Sequence, residues 1–340
     1  PDAWEQQIID ADVNDDYQTL ADILPDADFD GDGLNNLAEY LADTDPTSIY
    51  SGGSVEWPTD SFAAWYRTDG SDITADQAGL VSQWKNSVSA AYPMAQAYVP
   101  NQPDFVADVL NGQDVLRFAG TDSMTISASD TDMLTPDNNG FSILGVFTMG
   151  ASTGTEISSI LSNETYQTSG FRLGVWNGHM RWWSHESGGT LPPEQMFMDD
   201  PVVEGDTYQF ALKYEGAGVQ DTSEMYVNGS LQKSLTGMSI LGNTNDMLLH
   251  SIGGWPTQSG DWGELMVVNR TLTRGETTLL QDYLNGKHRN EGPLALDGDA
   301  DGLADWNNYP PTVEEEVDSD QDGLLDVAEL LLGTDPNNPD

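Results

Sequence analysis

The chain has 340 residues, with 57 acids against 11 bases, a formal net charge of −46 and no cysteine. Nucleic acid is excluded as a partner, because phosphate binding depends on Lys and Arg displacing counterions, and no apolar run approaches the roughly 18 to 20 residues of a membrane-spanning helix, so no membrane insertion is expected. Zero cysteine removes disulfides, thiol nucleophiles and thiolate metal sites, leaving packing or oxygen-ligated metal to hold the fold.

The charge divides the chain into three parts. Residues 1–54 hold 14 acids and no base, residues 291–340 hold 15 acids and no base, and residues 55–290 hold 28 acids with all 11 bases. The central part is long enough to bury its own core. A short acidic flank is commonly a solvated tail, but here the acids are spaced rather than clumped.

In the first flank, Asp28, Asp30 and Asp32 stand at positions 1, 3 and 5 of a twelve-residue loop, with Gly33 at 6 and Glu39 at 12. Alternate side chains of a tight loop converge on one point, and glycine permits the turn. Leu34 can supply its carbonyl at position 7, Asn36 can ligate at position 9, commonly through a water, and Glu39 closes the shell from a following helix. Oxygen ligands in this number favour Ca2+ over zinc, copper or magnesium. The first residues, Pro1-Asp2-Ala3-Trp4-Glu5, fit positions 8 to 12 of a further such loop, with Asp2 at 9 and Glu5 at 12.

Between about 57 and 290 short alternating runs are separated by Gly, Asn, Asp and Ser, the pattern of a mainly β sandwich. Candidate strands are 62–67, 115–118, 141–147, 171–176, 179–184, 208–214, 224–227, 230–233, 247–252 and 263–268. Asn177-Gly178 and Asn228-Gly229 supply the positive φ angles of two-residue hairpin turns. Thr273 with Glu276 three residues on predicts a capped helix with Leu279, Leu280, Tyr283 and Leu284 on its apolar face, ending at Asn285-Gly286.

Catalysis is not expected. The nearest pair of carboxylates, Asp261 and Glu264, has an odd spacing that puts the two on opposite strand faces, and His179, His185, His250 and His288 show no metal spacing. Trp176, Trp182, Trp183, Trp255 and Trp262 are candidate stacking platforms for surface glycans, against the commoner alternative that they pack the core. Adjacent Trp182 and Trp183 point to opposite faces, so one can be core and the other exposed.

The second flank repeats the first. Residues 28–46 match 318–336 at eleven of nineteen positions, giving a second complete loop of Asp318, Asp320, Asp322, Leu324, Asp326 and Glu329. A third, Asp297, Asp299, Asp301, Leu303 and Asp305, has Asn308 where the closing glutamate belongs, and is weaker or completed elsewhere, as by Glu314–Glu316. At least two Ca2+ ions, and three with this loop, are expected. The acidic end, Asp335 to Asp340, together with Asp2 and Glu5, suggests an intersubunit metal site and head-to-tail assembly of the chain with itself.

These flanks resemble the bacterial thrombospondin type 3, EF-hand-like calcium repeats, on Asp-x-Asp-x-Asp-Gly-Leu followed by a short helix and Thr-Asp-Pro at 44–46 and 334–336. The centre resembles a laminin-G-like, concanavalin A-like jelly roll, on Ala64-Trp65-Tyr66, Val81-Ser82-Gln83-Trp84-Lys85-Asn86, Val115-Leu116-Arg117-Phe118, Tyr226-Val227-Asn228-Gly229 and Gly263-Glu264-Leu265-Met266. The resemblance implies a jelly-roll sandwich between rigid, calcium-filled helical repeats: a non-catalytic extracellular module for adhesion or assembly into a fibre. The alternative is a glycan-binding module of a secreted polysaccharide-degrading protein. The acidity beyond what calcium neutralises, with only four lysines, fits a cell-surface or secreted protein of a marine or salt-adapted bacterium.

Overall fold

The computed structural model describes residues 2–12, 17–42, 44–51, 55, 57–119, 121–126, 134, 140–150, 158–164, 169–184, 195–216, 222–240, 247–249 and 259–291. The loops at 297–305 and 318–329, the acids Asp335 and Asp340, and Trp255, His185 and His250 lie outside the described residues, as does the Asp2 side chain.

The strands are β1 (Phe62–Arg67), β2 (Ile73–Ala75), β3 (Val81–Trp84), β4 (Met94–Ala95), β5 (Asp104–Leu110), β6 (Gln113–Phe118), β7 (Met124–Ile126), β8 (Phe141–Met149) and β9 (Ser158–Ser162). They continue with β10 (Phe171–Trp176), β11 (His179–Ser184), β12 (Gln195–Phe197), β13 (Thr207–Tyr214), β14 (Thr222–Val227), β15 (Ser230–Thr236), β16 (Met247–Leu249) and β17 (Gly260–Val268). Among the described residues three α-helices accompany them: α1 (Asp2–Ala11), α2 (Asn36–Ala42) and α3 (Arg274–Arg289).

Among the described residues all pairings are antiparallel and form two sheets. One runs β15-β14-β13-β8-β17-β6-β5 with β1 also on β17, and the other runs β12-β11-β10-β9-β16-β7-β4-β3-β2. This is the expected β-sandwich. Its core lies between the sheets, where Trp84, Phe118, Phe141, Phe147, Phe171, Trp182, Phe210 and Trp262 are fully or almost fully buried. The period-two alternation explains which residues enter: Met180 and Trp182 of β11 point inward while His179 and Arg181 stay half-exposed.

A second apolar layer lies behind the first sheet, where Leu279, Leu280, Tyr283 and Leu284 of α3 pack with Trp57, Trp65, Leu144, Met266 and Val268. The helix begins as expected: the Thr273 hydroxyl accepts from Glu276 N (3.2 Å) and the Glu276 carboxylate accepts from Thr273 N (2.9 Å). It does not stop at Asn285-Gly286 but continues to Arg289, with Asn290 in the left-handed conformation (φ 53°). The cause is burial of the extra turn. Lys287 reaches Glu264 (2.6 Å) behind the sheet, and that ion pair outweighs the local preference of Asn-Gly to end a helix.

Candidate functional site: an acidic loop docked on the sandwich

The loop from Asp28 to Glu39 folds as its spacing dictates. Asp28 accepts from Gly31 N (2.8 Å) and Gly33 N (2.9 Å), Asp30 from Asp32 N (3.1 Å), and Asp32 from Leu34 N (2.7 Å). Gly33 takes φ +94°, the left-handed turn that position 6 requires. Asn35 then caps α2 by accepting from Ala38 N (2.9 Å), which brings Glu39 into the first turn facing the loop.

This geometry gathers charge where little can balance it. One ligand atom each from Asp28, Asp30 and Asp32 lies within 4.8 Å of the others, the one such acidic group among the described residues. Glu39 is fully buried and neither of its carboxylate oxygens has a hydrogen-bond partner; Asp30 Oδ2 and Asn36 Oδ1 are buried in the same condition. The Asn36 amide nitrogen is held by the Leu24 carbonyl (2.9 Å), which leaves its oxygen as the free acceptor. Burial first, then the charges of Asp30, Asp32 and Asp28, push Glu39 up to about 8. Burial, with Asp32 and Asp28 adding to it, raises Asp30 to about 7. Buried acceptors without donors cost about 1–3 kcal/mol each, so the donor set fits a hard divalent cation.

The loop rests on its own small core and on the sandwich. Ile8 of α1, Ile23 and Phe29 are buried together, with Trp4 and Tyr17 packed against them. Trp4 Nε1 donates to the Thr44 carbonyl (3.3 Å) and its ring meets Tyr40 edge-on at 5.8 Å. Glu5 is half-buried on α1. Asp28, Asp30 and Asp32 converge on one side, while Phe29 and Gly31 between them face the start of α3. There the Arg274 guanidinium lies 3.9 Å from the Phe29 ring centroid.

The tryptophans are redistributed. Trp182 and Trp262 are fully buried in the inter-sheet core, so neither is a glycan platform. Trp183 does face the other way from Trp182, but it too is buried: Arg172 covers it at 5.2 Å, and Gly174, lacking a side chain, lets the ring lie across β10. Trp176 alone of the four described remains half-exposed.

The expectation that Asp261 and Glu264 face opposite ways is overturned by a β-bulge between Trp262 and Glu264, where Gly263 is the additional residue. Both acids point to the helix side. Asp261 is held by Arg117 (2.8 and 2.7 Å). Glu264 is sealed under α3, bonded to Lys287 (2.6 Å), Trp65 Nε1 (2.8 Å) and Tyr283 (3.2 Å), and Lys287 with the neighbouring His288 holds it well below the usual carboxylate range against the effect of burial. Gly263 is what the His288 ring requires: a Cβ there would lie 2.8 Å from it. The bulge is the feature that residue spacing could not reveal. A cleft of about 540 Å³ beside Asn111, Asp206, Tyr208 and Arg289 has its Glu291 carboxylate tied to Arg289 at 2.7 Å.

No family model matches the chain, and no curated protein matches it. Solved structures do. The receptor-binding domain of botulinum neurotoxin C/D mosaic serotype superimposes with a TM-score of 0.50 at 10% identity, over 66% of this chain and 51% of that one. The binding domain of Paraclostridial Mosquitocidal Protein 1 gives 0.49 at 10% identity, over 66% and 52%. Trypanosoma rangeli sialidase in complex with 2,3-difluorosialic acid gives 0.46 at 14% identity, over 68% and 34%. The matched part is thus about half the length of the toxin binding domains. At this identity the likeness shows the fold alone, a β-rich sandwich.

Proposed function

We propose that the chain is a non-catalytic extracellular module whose amino-terminal flank is built around Ca2+ held by Asp28, Asp30, Asp32, Asn36 and Glu39, with the Leu34 carbonyl completing the set. The observation that carries this reading is Glu39: a carboxylate with zero exposure and no donor to either oxygen, beside three more carboxylates. The flank then serves as a rigid support for the sandwich, and the sequence repeat at 318–329 extends the same role to the other end. Adhesion, or assembly of copies head to tail, is the task such a support suits.

Terbium titration tests the metal reading. Tyr40 follows Glu39 and touches Trp4, so bound terbium has a sensitising ring beside it. Saturable emission, displaced by calcium and weakened in Glu39→Gln, is the expected result. Emission unchanged by that substitution would remove the site.

A second reading, that the sandwich binds glycans, is favoured by Trp176, which stays half-exposed beside an arginine while the other described tryptophan candidates are buried.

A further inference from the structure

Seven of the eleven bases pair with a carboxylate: Arg67, Arg117, Arg172, Lys213, Arg270, Lys287 and Arg289. In so acidic a chain the exceptions are informative. Lys85 donates to the Ser71 carbonyl, and Arg274 lies over Phe29 at the loop junction. The remaining two, Arg181 and Lys233, have no carboxylate partner among the described residues and flank the same ring. Arg181 lies 5.2 Å and Lys233 5.4 Å from the Phe197 centroid, and Arg181 also lies 4.8 Å from that of Trp176.

The fold sets this stripe deliberately across two sheets. Arg181 of β11 stands opposite Phe197 of β12 and opposite Gly174 of β10, and its guanidinium reaches diagonally to Trp176. Lys233 comes from β15, and β12 and β15 are edge strands of the two sheets lying against each other. Arg181 gives one bond to Gln195 Oε1 (2.8 Å), while its Nε is buried without an acceptor. Burial lowers its proton affinity below the ordinary arginine range, and among the described residues no acid pairs with it.

We propose that the Trp176–Arg181–Phe197–Lys233 stripe binds an anionic glycan, a sugar carrying carboxylate or sulfate. Arg181 and Lys233 pair the charge, and the half-exposed rings of Trp176 and Phe197 beside them give the sugar ring apolar contact. This extends the glycan-binding reading and does not depend on the calcium loop. An acidic peptide offers the charge, but an Asp- and Gly-rich segment has little to lay on the rings; a uronate or sulfated pyranose has both. The chain's overall negative charge opposes an anion only at range. At physiological ionic strength the Debye length is about 8 Å, so distant acids are screened while the two cations at contact are not.

Calorimetric titration of the calcium-loaded full chain with a galacturonate hexamer, its neutral methyl ester, a sulfated galactan hexamer and oligo-aspartate tests the stripe. Expected is binding of at least one of the two anionic sugars, with Arg181→Gln, Lys233→Ala and Trp176→Ala each weakening it by about tenfold or more while melting temperatures hold, and Lys85→Ala leaving it unchanged. Equal binding of hexagalacturonate and its methyl ester would overturn the charge assignment yet leave the broader glycan reading standing. Oligo-aspartate binding lost in the same variants would give the stripe a protein partner instead, and a lowered melting temperature with no sugar bound would reduce it to an edge-strand zipper.

Discussion

Gly31 and Gly275 meet backbone to backbone. A Cβ on Gly31 would lie 2.7 Å from Gly275 N, and one on Gly275 would run into the Gly31 carbonyl. Position 4 of the acidic loop is therefore in contact with the first turn of the helix that backs the sandwich. Gly275→Ala gains up to about 1 kcal/mol of helix propensity but overpacks a junction with no rotamer to yield, at about 1–3 kcal/mol. The expected outcome is a lower melting temperature and severalfold weaker terbium binding, although residue 275 touches no ligand. Unaltered metal affinity in this variant would show that loop and sandwich are energetically separate.

The buried carboxylates predict a pH dependence whose sign depends on the metal. Without a cation Asp30 and Glu39 are raised to about 7 and about 8 from 3.8 and 4.5. Folding then favours their protonated forms, so this contribution is fully present near pH 4 and is lost as pH rises through 7 and 8. Metal-stripped protein should show a melting temperature that falls more steeply between pH 5 and 8.5 than that of calcium-loaded protein. Asp282, raised to about 6 by burial, acts alike in both forms and cancels in the difference. Parallel curves would show that these carboxylates do not hold the metal.

What the sequence made legible and what it did not follow from the range of the forces involved. The turn of the acidic loop was readable because its carboxylates and its glycine are all local, within residues 28–39. The Asn177-Gly178 and Asn228-Gly229 hairpins and the Thr273–Glu276 cap were readable for the same reason. The bulge at Gly263 was not, because it makes room for His288, more than twenty residues further along the chain. Nor was the fate of Trp183: alternation assigns a residue to a face, but only Arg172 lying over that face decides that it is buried.

Glu264 gives a test of that buried network. Its removal would leave Lys287, itself nearly enclosed, without its carboxylate. Breaking one side of such a pair typically costs about 3–5 kcal/mol, while replacing both sides by apolar groups of similar size is often neutral. Glu264→Ala should therefore lose most of that amount in denaturant unfolding, and the double change Glu264→Leu with Lys287→Met should recover much of it. If the double variant is as unstable as the single one, Trp65 and Tyr283, which also bond Glu264, rather than the ion pair, set its importance.

Two tryptophans six residues apart should respond in opposite ways. Trp182 has no exposure and fills the inter-sheet core, so Trp182→Ala opens a cavity and should cost about 3–5 kcal/mol in guanidinium unfolding. Its indole nitrogen is buried without an acceptor, so Trp182→Phe loses volume but also removes an unpaired donor; the two effects offset, and a much smaller loss is expected. Trp176 is half-exposed and holds Arg181 by a cation–π contact of about 0.5–1 kcal/mol. Trp176→Ala should leave the unfolding midpoint within that margin and act instead on ligand binding. A large stability loss at 176, or a small one in Trp182→Ala, would mean that the sheet face has been assigned the wrong way round, and the glycan stripe would go with it.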